Sequence, residues 1–267
     1  MGTTSKALSL LDYFTRARPL VGLSDLARLS GTNKATCFRL MSELVEHGLA
    51  EQLPATRDYR IGPAVLRLAI LREAAVPMRD AAQPVLNHLA TATGETAHLS
   101  HLVAGRLVTT GFAYGAASGM QVMMEDADVL PFHATSSGIA VLAHLAPDRQ
   151  ADILSAPLGE VTAETLRDPS AVRAKMAHVL TDGWSFTSNT FEAGVASVAM
   201  PLFDAHGAVQ GAMAVAAPAL RMTEVAQAYI LQRLVLAAGD VMALWGGHAP
   251  PDVSAHWRKL TNERTPT

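Results

Sequence analysis

The stretch Leu23-Ser24-Asp25-Leu26-Ala27-Arg28-Leu29-Ser30-Gly31-Thr32-Asn33-Lys34-Ala35-Thr36-Cys37-Phe38-Arg39-Leu40-Met41-Ser42-Glu43-Leu44-Val45-Glu46-His47-Gly48 decides the fold of the N-terminal part. Residues 23–30 read as a short helix, with Ser24 as N-cap, Asp25 in its first turn and Leu26 and Leu29 on one face. Gly31 supplies the turn, and Thr32 or Asn33 caps a longer helix from Lys34 to His47. There Cys37, Leu40, Met41 and Leu44 recur at helical spacing and face inward. Lys34, Ala35, Thr36, Phe38 and Arg39 remain on the outer face of its first turns. Gly48 ends it, where a left-handed residue costs glycine little.

Downstream, Leu49-Ala50-Glu51-Gln52 and Tyr59-Arg60-Ile61-Gly62 alternate as two strands joined by Pro54-Ala55-Thr56-Arg57-Asp58, a turn with a basic tip. Two helices in a helix-turn-helix arrangement followed by such a wing place the second helix to enter a major groove and the wing to lie along phosphates. Lys34, Thr36, Phe38, Arg39 and Arg57 are the expected DNA contacts. The other reading is a helical scaffold with a solvated face, used for small-molecule sensing or protein interaction without nucleic acid.

Upstream, Ser5 to Ala17 is expected to be a first helix with Ala7, Leu8, Leu11 and Phe14 at core spacing. After the wing, Gly62-Pro63 opens a linker helix. Its run Ala64-Val65-Leu66-Arg67-Leu68-Ala69-Ile70-Leu71 is apolar on most sides, more than a lone helix can hide from water, so pairing with a second copy is expected. From Glu95 the period changes. Residues 96–103 and 107–112 alternate as strands, and 120–124 is expected to be another. Helices are expected over 136–145 and from Asp168-Pro169 to Leu180, and residues 195–203 and 208–216 form a hairpin. Thr223 caps a final helix to about Trp245. Strands joined by hairpins with helices against one face predict an antiparallel α+β domain.

The chain therefore divides into a winged helix-turn-helix (1–62), a linker helix (63–77), an α+β domain (78–247) and a flexible tail (248–267). Of its 267 residues, 49% are hydrophobic and 17% charged, which excludes a disordered chain. No uninterrupted apolar run of membrane-spanning length occurs, and the N-terminus is not read as a signal peptide. Cys37 is the single cysteine, which excludes an intrachain disulfide and fits a reducing cytoplasm. The net charge of −3 is unevenly distributed: residues 1–80 hold 11 Lys+Arg and 8 Asp+Glu, the remainder 10 and 16. The basic excess lies on the winged helix, where phosphate binding needs it. Two copies acting together would bind better than one.

Chemistry is not indicated. His98 and His101 are three apart on a strand and point to opposite faces, so they could share a metal only if the strand bends there, and His98, His101 and His133 are expected as pocket or interface histidines instead. No G-x-S-x-G elbow and no P-loop occurs. No cofactor is expected.

Lys6-Ala7-Leu8-Ser9-Leu10-Leu11-Asp12-Tyr13-Phe14, Leu23-Ser24-Asp25-Leu26-Ala27, residues 34–41 and Tyr59-Arg60-Ile61-Gly62-Pro63 resemble the DNA-binding domain of the isocitrate-lyase-regulator (IclR) family of bacterial transcription factors. Ala35 departs from the Ser that many relatives carry. Residues 130–140, Asp182-Gly183-Trp184-Ser185, Phe191-Glu192-Ala193-Gly194-Val195 and Ala199-Met200-Pro201-Leu202-Phe203-Asp204 resemble its effector-binding domain, which is similar to the GAF sensor fold. The resemblance covers about residues 5–245. It implies a cytoplasmic, nucleoid-associated regulator, typically a repressor of a catabolic operon, that binds a near-palindromic operator as a homodimer or homotetramer and responds to a small organic acid. It places the acid on the backbone amides of Ser136 and Ser137, on the side chains of Thr187 and Ser197, and beside Ala214 and Ala216. Members that bind small, very polar acids carry hydroxyls at those last two positions. The alanines imply an acid with an aromatic or aliphatic body, which Phe112, Met123 and Met124 would contact unless they are plain core.

Overall fold

The computed structural model describes residues 2–15, 18–75, 78–116, 120–125 and 127–262, and the chain divides into two compact units, Met1–Pro77 and Met78–Thr267.

In the first unit, α1 (Thr3–Ser9) passes into a 3-10 turn (Leu10–Tyr13), followed by α2 (Leu23–Ser30), α3 (Lys34–Glu46), strands β1 (Ala50–Gln52) and β2 (Tyr59–Ile61), and α4 (Pro63–Ala75). The expected first helix is thus shorter and tighter than its apolar spacing suggested. The 3-10 turn rotates Leu10 into the core and leaves Leu8 exposed, because three residues per turn place a different side chain inward than 3.6 do. Arg16 and Ala17, the end of that expectation, lie outside the described residues. Gly22, not Ser24, is the N-cap of α2, which begins one residue before the serine. Asn33 caps α3, its Oδ1 accepting the Thr36 amide at 2.8 Å. Cys37, Leu40, Met41 and Leu44 are buried with Leu10, Val21, Leu26 and Tyr59 in one core.

The wing is antiparallel, with Ala50 opposite Ile61 and Gln52 opposite Tyr59, and Val21 bridges to Tyr59 on the other side. Gly48 has φ +69°, and a Cβ on Gly62 would lie 2.2 Å from the Gly48 carbonyl oxygen. The two glycines let the wing exit cross directly over the end of α3.

The second unit contains α5 (Met78–Thr93), β3 (Thr96–Val103), β4 (Arg106–Ala113), β5 (Val129–Leu130), α6 (Ser136–Leu142), α7 (Pro147–Ser155), α8 (Pro169–Asp182), β6 (Ser185–Ser188), β7 (Val195–Phe203), β8 (Val209–Pro218), α9 (Glu224–Leu244) and α10 (Pro251–Asn262). The six strands form one antiparallel sheet in the order β5-β4-β3-β8-β7-β6. On one face Val198, Met200, Met213 and Val215 cluster with Leu86 and Leu89 of α5 and Leu234 and Val241 of α9. On the other, Ala199 and Ala214 pack on Ala140 of α6. Helices therefore cover both faces, not one. Small side chains let α6 approach closely, and at Gly138 a Cβ would meet the Pro131 carbonyl oxygen at 2.5 Å.

Two further expectations are corrected. Residues 120–124 are irregular: Tyr114 Oη accepts the Met124 amide, and the Val122 carbonyl accepts from Thr96 Oγ1, so side chains replace a ladder partner. The expected loose tail is ordered as far as it is described, and residues 263–267 lie outside the described residues. Residues 251–262 form α10, whose Val253 and Trp257 enter the main core, with Trp257 Nε1 donating to the Gly183 carbonyl at 2.7 Å.

Candidate functional site

The first unit presents the outer face of α3. Residues in a helix are about 100° apart, so the buried set Cys37, Leu40, Met41 and Leu44 places Ala35, Arg39, Ser42 and Glu46 directly opposite. Arg39 is therefore central on the exposed face, with Lys34 and Thr36 towards its two flanks. Lys34 and Arg39 are exposed and Thr36 is half-buried. Phe38 is 51% exposed, a large apolar ring that the folded unit does not cover. Arg57 sits exposed in the wing turn with φ +65°, its amide donating to Leu53 and its carbonyl accepting from Gln52 Nε2. Those two bonds hold a non-glycine residue in the left-handed region.

The second unit contains a cavity of about 70 Å³ on the α6 side of the sheet. Its floor follows from strand register. Residues directly opposite one another on antiparallel strands share a face. Thr187, Ser197, Ala216 and Thr96 are paired in succession across β6, β7, β8 and β3 and make one row. Ser185, Ala199, Ala214, His98 and Phe112 make the next row on that face. Helix α6 lies over Ala199 and Ala214 and closes the middle of the second row. The first row stays open. Thr187, Ser197 and Ala216 line the cavity, with Ser136 and Ser137 above them and Val122, Met123 and Met124 along one wall.

Most of the anticipated ligand residues therefore meet. Two do not. Ala214 is buried beneath α6 and away from the cavity. Phe112 shares the face of His98, but its ring packs on Tyr114 at 5.3 Å between centroids. The register that separates Ala214 from Ala216 comes from pairing across the sheet, not from their common alternation.

His98, Thr190, Glu192 and Asp128 also line the cavity; Glu192 lies in the 191–195 motif and His98 is among the histidines weighed for a metal, while Thr190 and Asp128 carry no sequence signal. Ser136 Oγ donates to Ser197 Oγ at 2.8 Å, and Ser137 Oγ lies 3.3 Å from His98 Nε2. Thr135 caps α6 by accepting the Gly138 amide, which leaves the amides before it at the helix start. Burial pushes the His98 imidazole down to about 4, so it is neutral at pH 7. His98 and His101 do point to opposite faces: His101 bonds Thr110 and packs edge-on against Trp245. His133 Nε2 bonds the Gly159 carbonyl at 2.8 Å. Among the described residues no cluster of metal-ligating side chains forms, and no helix is long and apolar enough to cross a membrane.

Comparison with known proteins finds two family models along the chain. Residues 3–54 match the family model for the IclR helix-turn-helix domain, and residues 73–243 match that for the bacterial transcriptional regulator IclR C-terminal domain. The chain is similar to the crystal structure of an IclR transcriptional regulator from Silicibacter sp. TM1040, with 49% identity, a TM-score of 0.90, and 94% of this chain and 99% of that one covered. It is 26% identical over 239 residues to the HTH-type transcriptional regulator BhcR of Paracoccus denitrificans, covering 88% of this chain and 84% of that protein. It shares the fold of an IclR homologue from Microbacterium hydrocarbonoxydans crystallised with 4-hydroxybenzoate, with 24% identity, a TM-score of 0.71, and 95% of this chain and all of that one covered. The chain belongs to the IclR family: it is a DNA-binding transcriptional regulator with an effector-binding domain, and not an enzyme.

Proposed function

We propose that this regulator represses a catabolic operon, binds a near-palindromic operator as a dimer or a pair of dimers, and responds to a small organic acid with an aromatic or aliphatic body. The observation that carries the acid reading is the two-sided cavity. Hydroxyls of Ser136, Ser137, Thr187 and Ser197 converge on one side, and Val122, Met123, Met124 and Leu130 form the other. Such a lining suits a molecule with one polar end and one apolar end. A cavity of about 70 Å³ is below the roughly 300–1,000 Å³ of drug-sized pockets. The acid is therefore small, and an aromatic body requires movement of the Met123–Met124 wall, where Met123 is already exposed. The ligand of the Microbacterium homologue, 4-hydroxybenzoate, is an acid of this class.

On the DNA side, Arg39 would reach base edges, Phe38 a thymine methyl, and Lys34, Thr36 and Arg57 the phosphates. Oligomerisation is supported by α4, where Leu66 is 66% exposed and Leu68, Ile70 and Leu71 are exposed beside it. A lone helix leaves that apolar surface in water, and pairing with a second copy removes it. The acid would act by favouring one arrangement of the paired winged helices over another.

The test is a mobility-shift titration on promoter DNA flanking the gene, at two salt concentrations, with and without a panel of carboxylic acids. Selective, salt-sensitive binding that one acid abolishes or strengthens is expected. Selective binding that no acid alters would overturn the acid reading. Failure to bind any genomic fragment selectively would overturn the assigned DNA contacts and leave the winged helix as a scaffold.

A further inference from the structure

The cavity is asked to hold a carboxylate, yet its described lining includes no lysine or arginine. The charged side chains on its wall are acids, Asp128 and Glu192. Placing an anion among buried dipoles is costly unless a positive charge is supplied. One lining group can supply it. The His98 ring on β3 is 5% exposed. Its Nε2 reaches Ser137 at the start of α6, and its Nδ1 is buried with no hydrogen-bond partner among the described residues. Its neighbours across the sheet, Phe112 on β4 and Ala214 on β8, cannot ionise. The polar groups that share its cavity are Ser136 and Ser137 of α6, Asp128, Thr187, Ser197 and Glu192.

We propose that His98 is the specificity-determining residue of the cavity, taking one proton from solvent as the acid binds and facing its carboxylate as an imidazolium. This rests on the organic-acid reading of the same cavity. In the free protein burial keeps the ring neutral near pH 7. A carboxylate held at the Ser136–Ser137 turn lies on the side of the ring that already bonds Ser137, and an opposite charge within about 4–6 Å favours the protonated form. The site thereby selects monoanions. A second negative charge on the ligand would find no second cation in the described lining, and an uncharged isostere would leave His98 neutral and forfeit the charge pair.

Calorimetric titration of the full-length protein with benzoate, 4-hydroxybenzoate and benzamide, in two buffers of different ionisation enthalpy, tests this. An acid that binds should take up close to one proton per site at pH 6. Its affinity should fall about tenfold between pH 5 and pH 6, as one linked proton requires, while benzamide shows no such slope. His98→Gln should weaken the acid at least tenfold at pH 5 and abolish both uptake and slope. In the wild-type protein with nitrogen-labelled histidine, NMR should show the His98 ring pass from neutral to imidazolium on saturation. That readout does not depend on the variant folding. Binding without proton uptake, a ring that stays neutral, or uptake that survives in His98→Gln would each overturn the proposal. The last would assign the proton to Asp128, Glu192 or the acid itself. Failure of both acids to bind at any pH would instead overturn the acid reading beneath it.

Discussion

The outer face of α3 and the cavity beside α6 are built by opposite means. Lys34, Thr36, Phe38 and Arg39 come from six consecutive residues of one helix, and all but the half-buried Thr36 are exposed. The cavity draws on His98, Val122, Ser136, Thr187, Ser197 and Ala216, which are up to 118 positions apart and mostly buried. A surface that meets phosphates needs exposed charge, and helical periodicity alone can present it. A site that surrounds a small molecule must exclude water and satisfy every polar group it buries. That requires register across several strands and a helix laid over them. The difference teaches where each function is vulnerable: the first at single exposed side chains, the second at the packing that holds its walls.

The largest effect expected on this contrast comes from removing support, not contacts. Leu26 is fully buried beneath α3, and Leu26→Ala should cost about 2–5 kcal/mol. Thermal melting followed with DNA and acid titrations should show operator binding lost while acid binding persists. Loss of acid binding in that variant would break the separation of the two units' cores. Next come the paired contact variants. Arg39→Ala should weaken specific operator binding by about 1–3 kcal/mol and leave acid affinity unchanged. Ser197→Ala removes the hydroxyl that bonds Ser136 and should weaken the acid by roughly 1 kcal/mol, with DNA affinity unaltered when no acid is present. Fluorescence anisotropy and calorimetry on both variants would show the two effects crossed if the sites were wrongly assigned. The smallest effect belongs to Asn33→Ala. It deletes the α3 cap and should cost about 1 kcal/mol of stability, seen as a lower melting temperature of the winged helix with weaker DNA binding only near that temperature.

Much of this was legible before any coordinates. Asn33, the spacing of Cys37, Leu40, Met41 and Leu44, and Gly48 define α3 locally, and the structure places all of them as that pattern requires. Leu8 and Leu10 were exchanged because a 3-10 turn changes the period within a single turn, which apolar spacing over so few residues does not resolve. In the second unit, alternation placed Ala214 and Ala216 on one face but could not say that α6 covers the first and spares the second. That is decided by which residue of β7 and β8 lies beneath Ala140. The helix α10 was missed because Pro250 and Pro251 and a polar composition read as a tail. Trp257 becomes core only when the Gly183 carbonyl and the ends of α8 and α9 are brought to it.

The amino-acid sequence by itself therefore determined the family, the order of the two domains, the helix-turn-helix with its exposed cation and ring, and four hydroxyl-bearing residues that line the cavity, Ser136, Ser137, Thr187 and Ser197. These depend on local periodicity, caps and turns, which act over a few residues. The tertiary structure alone decided that His98 is buried against Ser137, that the cavity wall carries acids and no described lysine or arginine, and that Ala214 and Phe112 stand outside it. Burial and charge environment are sums over groups distant in sequence, and they take a value only when the sheet is assembled.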